Sequence, residues 1–113
     1  MSGARRLSRK LVLEAPERVA DGAGGFTETW VARGTLWAEV SPRTGGARTG
    51  QGVSLSRVGY RIVVRGAPVG APSRPVPGQR FREGARLFAI RAVTEADPQG
   101  RYLTCFAEEE DAT

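Results

Sequence analysis

The fold is decided by the stretch Asp21–Trp30, DGAGGFTETW, which lies between two apolar runs. The run before it is Leu11–Pro16, LVLEAP, and the run after it is Gly34–Val40, GTLWAEV. Asp21 and the glycines that follow it mark a chain reversal, because glycine adopts positive φ without the steric cost of a β-carbon. Two apolar runs joined by such a reversal are typical of a β-hairpin with a longer loop.

We expect the first strand to cover Leu11–Ala15 and to end at Pro16, with a turn-rich loop at Glu17–Gly25. Two further short strands are expected at Phe26–Val31 and Thr35–Val40. The clearest strand is Val53–Arg65, because its side chains alternate. One face carries Val58, Tyr60, Ile62 and Val64, and the other carries Arg57, Gly59, Arg61 and Arg65, with Val63 as an apolar exception. Such alternation indicates one face on a core and the other toward water or a charged partner.

The rest of the chain also favours strands. Short strands are expected at Gln79–Gly84, Leu87–Val93 and Tyr102–Ala107, with a hairpin turn at Asp97–Gly100. The 15 glycines and 7 prolines disfavour helices. We therefore predict a single domain, residues 1–113, that is all-β: a small antiparallel β-barrel or sandwich of about six strands with long loops.

Four segments are expected to lie outside the predicted strands. They are a basic arm at residues 1–9, a long polar loop at 41–53, a Pro-rich connector at 66–78 and an acidic tail at 108–113. The predicted core residues lie in the strands. They are Trp37, Tyr60, Ile62, Phe88, Ile90 and Cys105.

The chain is basic, with a formal net charge of +5, and all of its 17 basic residues except Lys10 are arginine. Ten arginines between Arg43 and Arg91 face only one acidic residue, Glu83, whereas the C-terminal stretch is mainly acidic. This asymmetry fits nucleic acid as a partner, or a neighbouring copy that offers the opposite sign. The codon bias of a GC-rich genome explains the arginine content equally well.

The composition excludes several kinds of site. With one cysteine and no histidine, the chain can form neither an internal disulfide, nor a histidine-containing triad, nor a Cys/His zinc site. No nucleophile elbow, P-loop or paired Cys-x-x-Cys motif occurs. We predict a protein that is not an enzyme, with no cofactor and no metal. An enzyme whose carboxylates lie far apart in sequence remains the alternative. The sequence has no signal peptide or membrane span, which predicts synthesis in the cytoplasm.

The order of these elements resembles that of the phage head–tail joining family, also called head-closure or stopper proteins. The resemblance covers roughly residues 7–109. It rests on strand Leu11–Leu13, the turn Asp21–Gly25 with Trp30, the run Leu36–Pro42, the strand Tyr60–Arg65, the strand Phe88–Val93 and the closing strand Tyr102–Glu108. The chain departs from the family in the basic loop after Trp37 and in its longer Pro-rich span.

The resemblance implies a structural role in the neck of a phage, prophage or gene transfer particle made in a bacterial cytoplasm. Family members are small β-barrels that form a ring beneath the portal and its adaptor and above the tail terminator or tail. The ring encloses double-stranded DNA without reading its sequence. We expect a homo-oligomer, preferably a hexamer with a dodecamer as the alternative, and no membrane contact.

Two sets of residues are expected to make these contacts. Arg43, Arg48 and Gln51, in the 41–53 loop, are candidates for the DNA channel, because unstructured loops of this length are usually functional or disordered. The candidates for the subunit interface are Arg57, Arg61, Arg65, Glu108 and Glu109. The simpler alternatives are that the 41–53 loop is a flexible connector, that the arginine face of the strand is only solvated, and that Glu108 and Glu109 belong to a solvated tail.

Two other functions compete with head closure. One is a tail-terminator-type ring, which occupies a related place in the neck with different contacts. The other is a small β-barrel that binds single-stranded nucleic acid, which needs exposed aromatic side chains for base stacking. Aromatic residues make up only 7% of the chain, and most lie in patterns that predict burial.

Overall fold

The computed structural model describes residues 5–43 and 58–110. This part of the chain contains six strands and no helix. They are β1 (Arg9–Ala20), β2 (Phe26–Pro42), β3 (Val58–Arg65), β4 (Arg80–Glu83), β5 (Arg86–Glu95) and β6 (Tyr102–Glu110). The predicted all-β fold of about six strands is confirmed.

The strands form one antiparallel sheet that closes on itself in the order β1-β2-β3-β6-β5-β4. The closing seam is short, because β1 and β4 pair only at Val12↔Arg82, Leu13↔Phe81 and Glu14↔Arg80. Closure removes the free edges that an open sheet of these strands would present. The Pro-rich connector at 66–78 contains no helix or strand, as its composition predicts.

The core fills the inside of the closed sheet. Ile62, Phe88, Ile90 and Cys105 are all at most 1% exposed. Tyr60 is only partly buried and packs on this cluster, with its ring 5.3 Å from that of Phe88 in an edge-on arrangement. Burial also raises the pKa of the Cys105 thiol to about 12, so this side chain behaves as a small apolar group.

Trp37 is not a core residue, contrary to the prediction, because its side chain is 55% exposed. The strand register gives the reason. Leu36 and Ala38 both belong to the core region, with Ala38 fully buried. Trp37 stands between them on β2, opposite Lys10 of β1, and successive side chains of a strand point to opposite faces. The large ring is therefore on the outside of the sheet.

β1 does not end at Pro16 as predicted, since Pro16 pairs with Trp30 and the strand continues to Ala20. Proline is tolerated here because β4 pairs with β1 only as far as Glu14, which leaves that edge of β1 without a ladder to disrupt. β2 is likewise one strand rather than two. Its register shifts opposite Leu13 and Glu14, which pair with Gly34 and Ala32 and leave Arg33 as an extra residue.

The long β1–β2 hairpin therefore extends beyond the closed sheet. We call Pro16–Thr29 the hairpin arm, in which every residue is exposed except the half-buried Gly25. Its turn is held by Asp21, whose carboxylate accepts hydrogen bonds from the backbone N–H groups of Ala23 (2.8 Å) and Gly25 (3.0 Å). Those two bonds lower the pKa of Asp21. Gly22 and Gly24 supply the positive φ angles, 81° and 87°, that the sequence predicts for the reversal.

At the other end of the chain, the prediction that residues 108–110 belong to an acidic tail is wrong. These residues complete β6, where Glu108 and Glu109 pair with β3 and β5. The turn before β6 is as predicted, with the Gly100 N–H donating to the Asp97 carbonyl at 3.0 Å.

Ser41 and Pro42, assigned to the long loop from sequence, instead end β2. Residues 44–53 of that loop and residues 53–57 of the strand predicted at Val53–Arg65 lie outside the described residues.

Candidate functional site

Several arginines of the described chain hold the fold together. The carboxylate of Glu14, only 7% exposed, accepts a hydrogen bond from Arg80 Nε on one oxygen and from Arg82 Nε on the other, both at 2.7 Å. Burial opposes the charge of Glu14, but the two guanidinium groups outweigh it and lower its pKa. This triad joins β1 to β4 at the seam that closes the sheet.

Two further pairs tie distant segments together. Arg9 binds both oxygens of Glu83, at 2.8 and 2.7 Å, and Arg86 binds both oxygens of Glu109, at 2.8 and 3.0 Å. Each contact lowers the pKa of its carboxyl group, with the arginine hydrogen bond as the largest cause. A bidentate pair of this kind uses the planar fork of arginine.

The charge asymmetry of the sequence is therefore partly neutralised within one chain. Glu109, a predicted subunit-interface residue, is bound by Arg86 of its own chain, and Glu108 lies 3.4 Å from Arg91. The arginine-rich middle of the chain and the acidic C-terminal strand do meet, as the charges suggested. In the described structure they meet inside one subunit.

A second group of arginines lies on the outer face of β3 and β6. Arg61 stands opposite Phe106, and Arg65 stands opposite Tyr102. The guanidinium carbons lie 5.8 and 5.9 Å from the centres of these rings. Arg43 lies 5.1 Å from the Phe106 ring. We call these five residues the arginine–aromatic face.

The arginines of this face differ from those of the ion pairs. Within residues 5–43 and 58–110, Arg43, Arg61 and Arg65 contact rings and have no carboxylate partner. A guanidinium group that rests on an aromatic ring is held in place, while its N–H edge remains free to donate to a phosphate or a carboxylate. The face is thus a set of positioned cations suited to an anionic partner.

The predicted site residues are distributed as follows. Arg43, predicted for the DNA channel, and Arg61, predicted for the subunit interface, are brought together over one ring, Phe106. The Arg43 backbone N–H also donates to the Gly59 carbonyl at 2.9 Å, which fixes the start of the long loop beside β3. Arg48, Gln51 and Arg57 lie outside the described residues.

Sequence reasoning missed a groove at the end of this face. It encloses about 520 Å³ and is lined by Arg5, Leu7, Thr35, Leu36, Trp37, Arg65 and Tyr102. The signal that could have revealed it is the register of β2, since a strand with Leu36 and Ala38 turned inward must turn Trp37 outward. Tryptophan and arginine are enriched at the energetic centres of protein interfaces, which makes this groove a candidate contact surface.

The described residues contain no group of three or more His, Cys, Asp or Glu side chains arranged to hold a metal ion. They also contain no helix that is long and apolar enough to cross a membrane.

The comparison with known proteins identifies the family. A family model for the phage head completion protein matches residues 3–110. The chain belongs to the phage head completion protein family. This confirms the head-closure resemblance of the sequence, and the virion location that follows from it.

Two solved structures resemble this head completion protein. One is a chain in the virion of a native gene transfer agent particle, with 56% identity, a TM-score of 0.80, and coverage of 97% of this chain and 100% of that chain. The other is protein SF1141 from Shigella flexneri 2a, with 21% identity and a TM-score of 0.65 over 92% and 93% of the two chains. At that identity the second match supports the fold alone. No curated protein sequence matches the chain significantly.

Proposed function

We propose that this head completion protein forms a ring in the neck of a phage-like particle, closes the DNA-filled head and joins it to the tail. The observation that carries the proposal is the similarity, over nearly the whole of both chains, to a component of a native gene transfer agent virion. The role is structural: the protein binds its neighbours and DNA and transforms no substrate.

The Phe106 end of the arginine–aromatic face, where Arg43 and Arg61 share one ring, is with the loop that follows Arg43 the part of the subunit proposed to meet DNA. In a ring, symmetry repeats Arg43 and Arg61 once per subunit and so produces a circle of positive charge. Such a circle attracts phosphates without reading base sequence. The 41–53 loop, which contains Arg48 and Gln51, is proposed to project into the channel and to move aside when DNA passes.

The proposed neighbours are a portal or adaptor protein above the ring and a tail-terminator or tail protein below it. We favour six copies over twelve. Arg57, Arg65 and Glu108 remain proposed subunit contacts, whereas Arg61, which shares the Phe106 ring with Arg43, is proposed for the DNA side. Glu109 is left out because Arg86 of the same chain holds both of its oxygens.

A DNA-retention assay tests the proposal. Particles assembled with R43E/R61E are expected to contain less nuclease-protected DNA per head than wild-type particles, because the reversed charges repel phosphate. R33E serves as the control, since Arg33 is an exposed arginine outside the arginine–aromatic face. Equal DNA content in R43E/R61E and wild-type particles, with the variant present in the neck, would refute the DNA contact.

A further inference from the structure

The hairpin arm has no partner within the described chain beyond its own two strands. The residue pairs between these two strands run from Pro16↔Trp30 at the base of the arm to Ala20↔Phe26 near its tip. Neither strand has a second neighbour along this stretch, because β4 pairs with β1 only as far as Glu14 and β3 pairs with β2 only from Ala38 onward. A lone two-stranded ribbon is marginally stable in water and presents two unpaired edges. The arm is therefore a structure that another surface would stabilise.

The tip of the arm is both apolar and acidic. Phe26 is 59% exposed and Val19 is 46% exposed. Arg18 lies 4.4 Å above the Phe26 ring and orients it. The arm carries three carboxylates, from Glu17, Asp21 and Glu28, against the single guanidinium of Arg18. A partner for it needs exposed apolar surface beside positive charge.

The groove has that chemistry. Its apolar lining comes from Leu7, Leu36, Trp37 and Tyr102, and its charge comes from Arg5 and Arg65. Both guanidinium groups lie over the Tyr102 ring, at 5.7 and 5.9 Å. Arg65 has no carboxylate partner among the described residues, and Arg5 has only Glu39, at 3.5 Å. The groove is thus basic and aromatic, and the arm is acidic with an exposed aromatic ring.

We infer that the hairpin arm of one copy docks into the basic groove of the next copy, so that Phe26 packs near Trp37 and the arm's carboxylates meet Arg5 and Arg65. Arm and groove are different patches of the same chain, so the contact is head-to-tail and propagates around a ring when the rotation closes. The inference rests on the proposed ring and supplies its interface. The opposite charges fix the direction of docking and suppress wrong contacts.

A charge-swap experiment on the purified full-length chain tests this contact. The groove variant is R5E/R65E, and the arm variant is E17K/E28K. Each alone sets like charges against each other, so we expect self-association measured by analytical ultracentrifugation to weaken by at least about tenfold. Mixing the two variants restores opposite charges at both junctions, and an alternating assembly in 1:1 proportion is expected to form.

Three controls make the outcome interpretable. Circular dichroism reports whether each variant is folded. R33E reverses an exposed arginine outside both patches and is expected to associate like wild type. The recovery of association on mixing cannot arise from unfolding, since neither variant is repaired by the other unless their surfaces meet.

Three results would overturn the inference: a wild-type chain that stays monomeric at millimolar concentration, a variant that associates as wild type does, or a mixture that fails to recover. The proposed function is tested separately. A ring found in the particle neck whose subunits touch through other surfaces would exclude arm docking and leave the proposed function standing.

Discussion

At the scale of single residues, the pattern of burial along a strand could be predicted where the strand is regular. Ile62, Phe88 and Ile90 are inside the sheet, as alternation in β3 and β5 indicates. Trp37 was misplaced because its size and hydrophobicity favour burial, whereas the register of β2 turns it outward. The face of the sheet on which a side chain lies is set by its position between its neighbours in the strand, not by its size.

Glu14 has no distinguishing signal in the sequence, because its partners lie 66 and 68 positions away, at Arg80 and Arg82. We expect E14Q to lower the free energy of unfolding by about 2–3 kcal/mol, since it weakens two charge-assisted hydrogen bonds at a buried site. Urea unfolding followed by tryptophan fluorescence measures this. E17Q, on the exposed arm, is expected to behave as wild type, and equal losses in both variants would contradict a special role for Glu14.

Gly66 is required for a close approach of two backbone segments. A β-carbon there would stand 2.3 Å from the Gly100 carbonyl oxygen, while the Gly66 N–H donates to the Arg101 carbonyl at 2.7 Å. We expect G66A to destabilise the fold by about 1–3 kcal/mol through overpacking. The matched variant G59A meets only ordinary contacts, from 3.5 Å outward to the Arg43 side chain. Thermal unfolding that lowers the Tm of G59A as much as that of G66A would refute the argument.

At the scale of elements, the strand order along the chain was readable, but the strand ends were not. Pro16 and the glycines near it indicated an early end to β1. In the fold, Pro16 lies past the β1–β4 seam, so it disrupts no pairing with β4, and β1 continues in a ladder with β2 alone. The acidic run after Ala107 looked like a tail because its cationic partners, Arg86 and Arg91, are remote in sequence.

The ion pairs between elements predict how stability depends on pH. The pKa values of Glu14, Glu83 and Glu109 are lowered in the folded state from the ordinary value of 4.5. The folded state therefore binds fewer protons than the unfolded state, and this contribution to stability is present above pH 4.5 and is lost as the pH falls through the lowered values. We expect the urea midpoint to be constant from neutral pH to near that value and to fall below it. A midpoint that rises on acidification would contradict this sign.

At the scale of the whole molecule, the family could be predicted from the order of weak motifs, whereas the pair of strands that closes the sheet could not. The seam contains only three residue pairs and joins β1 to β4 across most of the chain. No local pattern encodes such a contact. The groove at the end of the arginine–aromatic face was missed for a related reason, since Arg5, Trp37, Arg65 and Tyr102 come from four separate segments.

The central claim is that this chain is a ring-forming structural component of a particle neck. Cryo-electron microscopy of purified particles from the producing host, refined on the neck, tests it most directly. We predict a ring of six-stranded barrels between the portal region and the tail, coaxial with the DNA, with Arg43 and Arg61 turned toward the channel. Particles whose neck is fully accounted for by other proteins, with this fold absent, would contradict the claim.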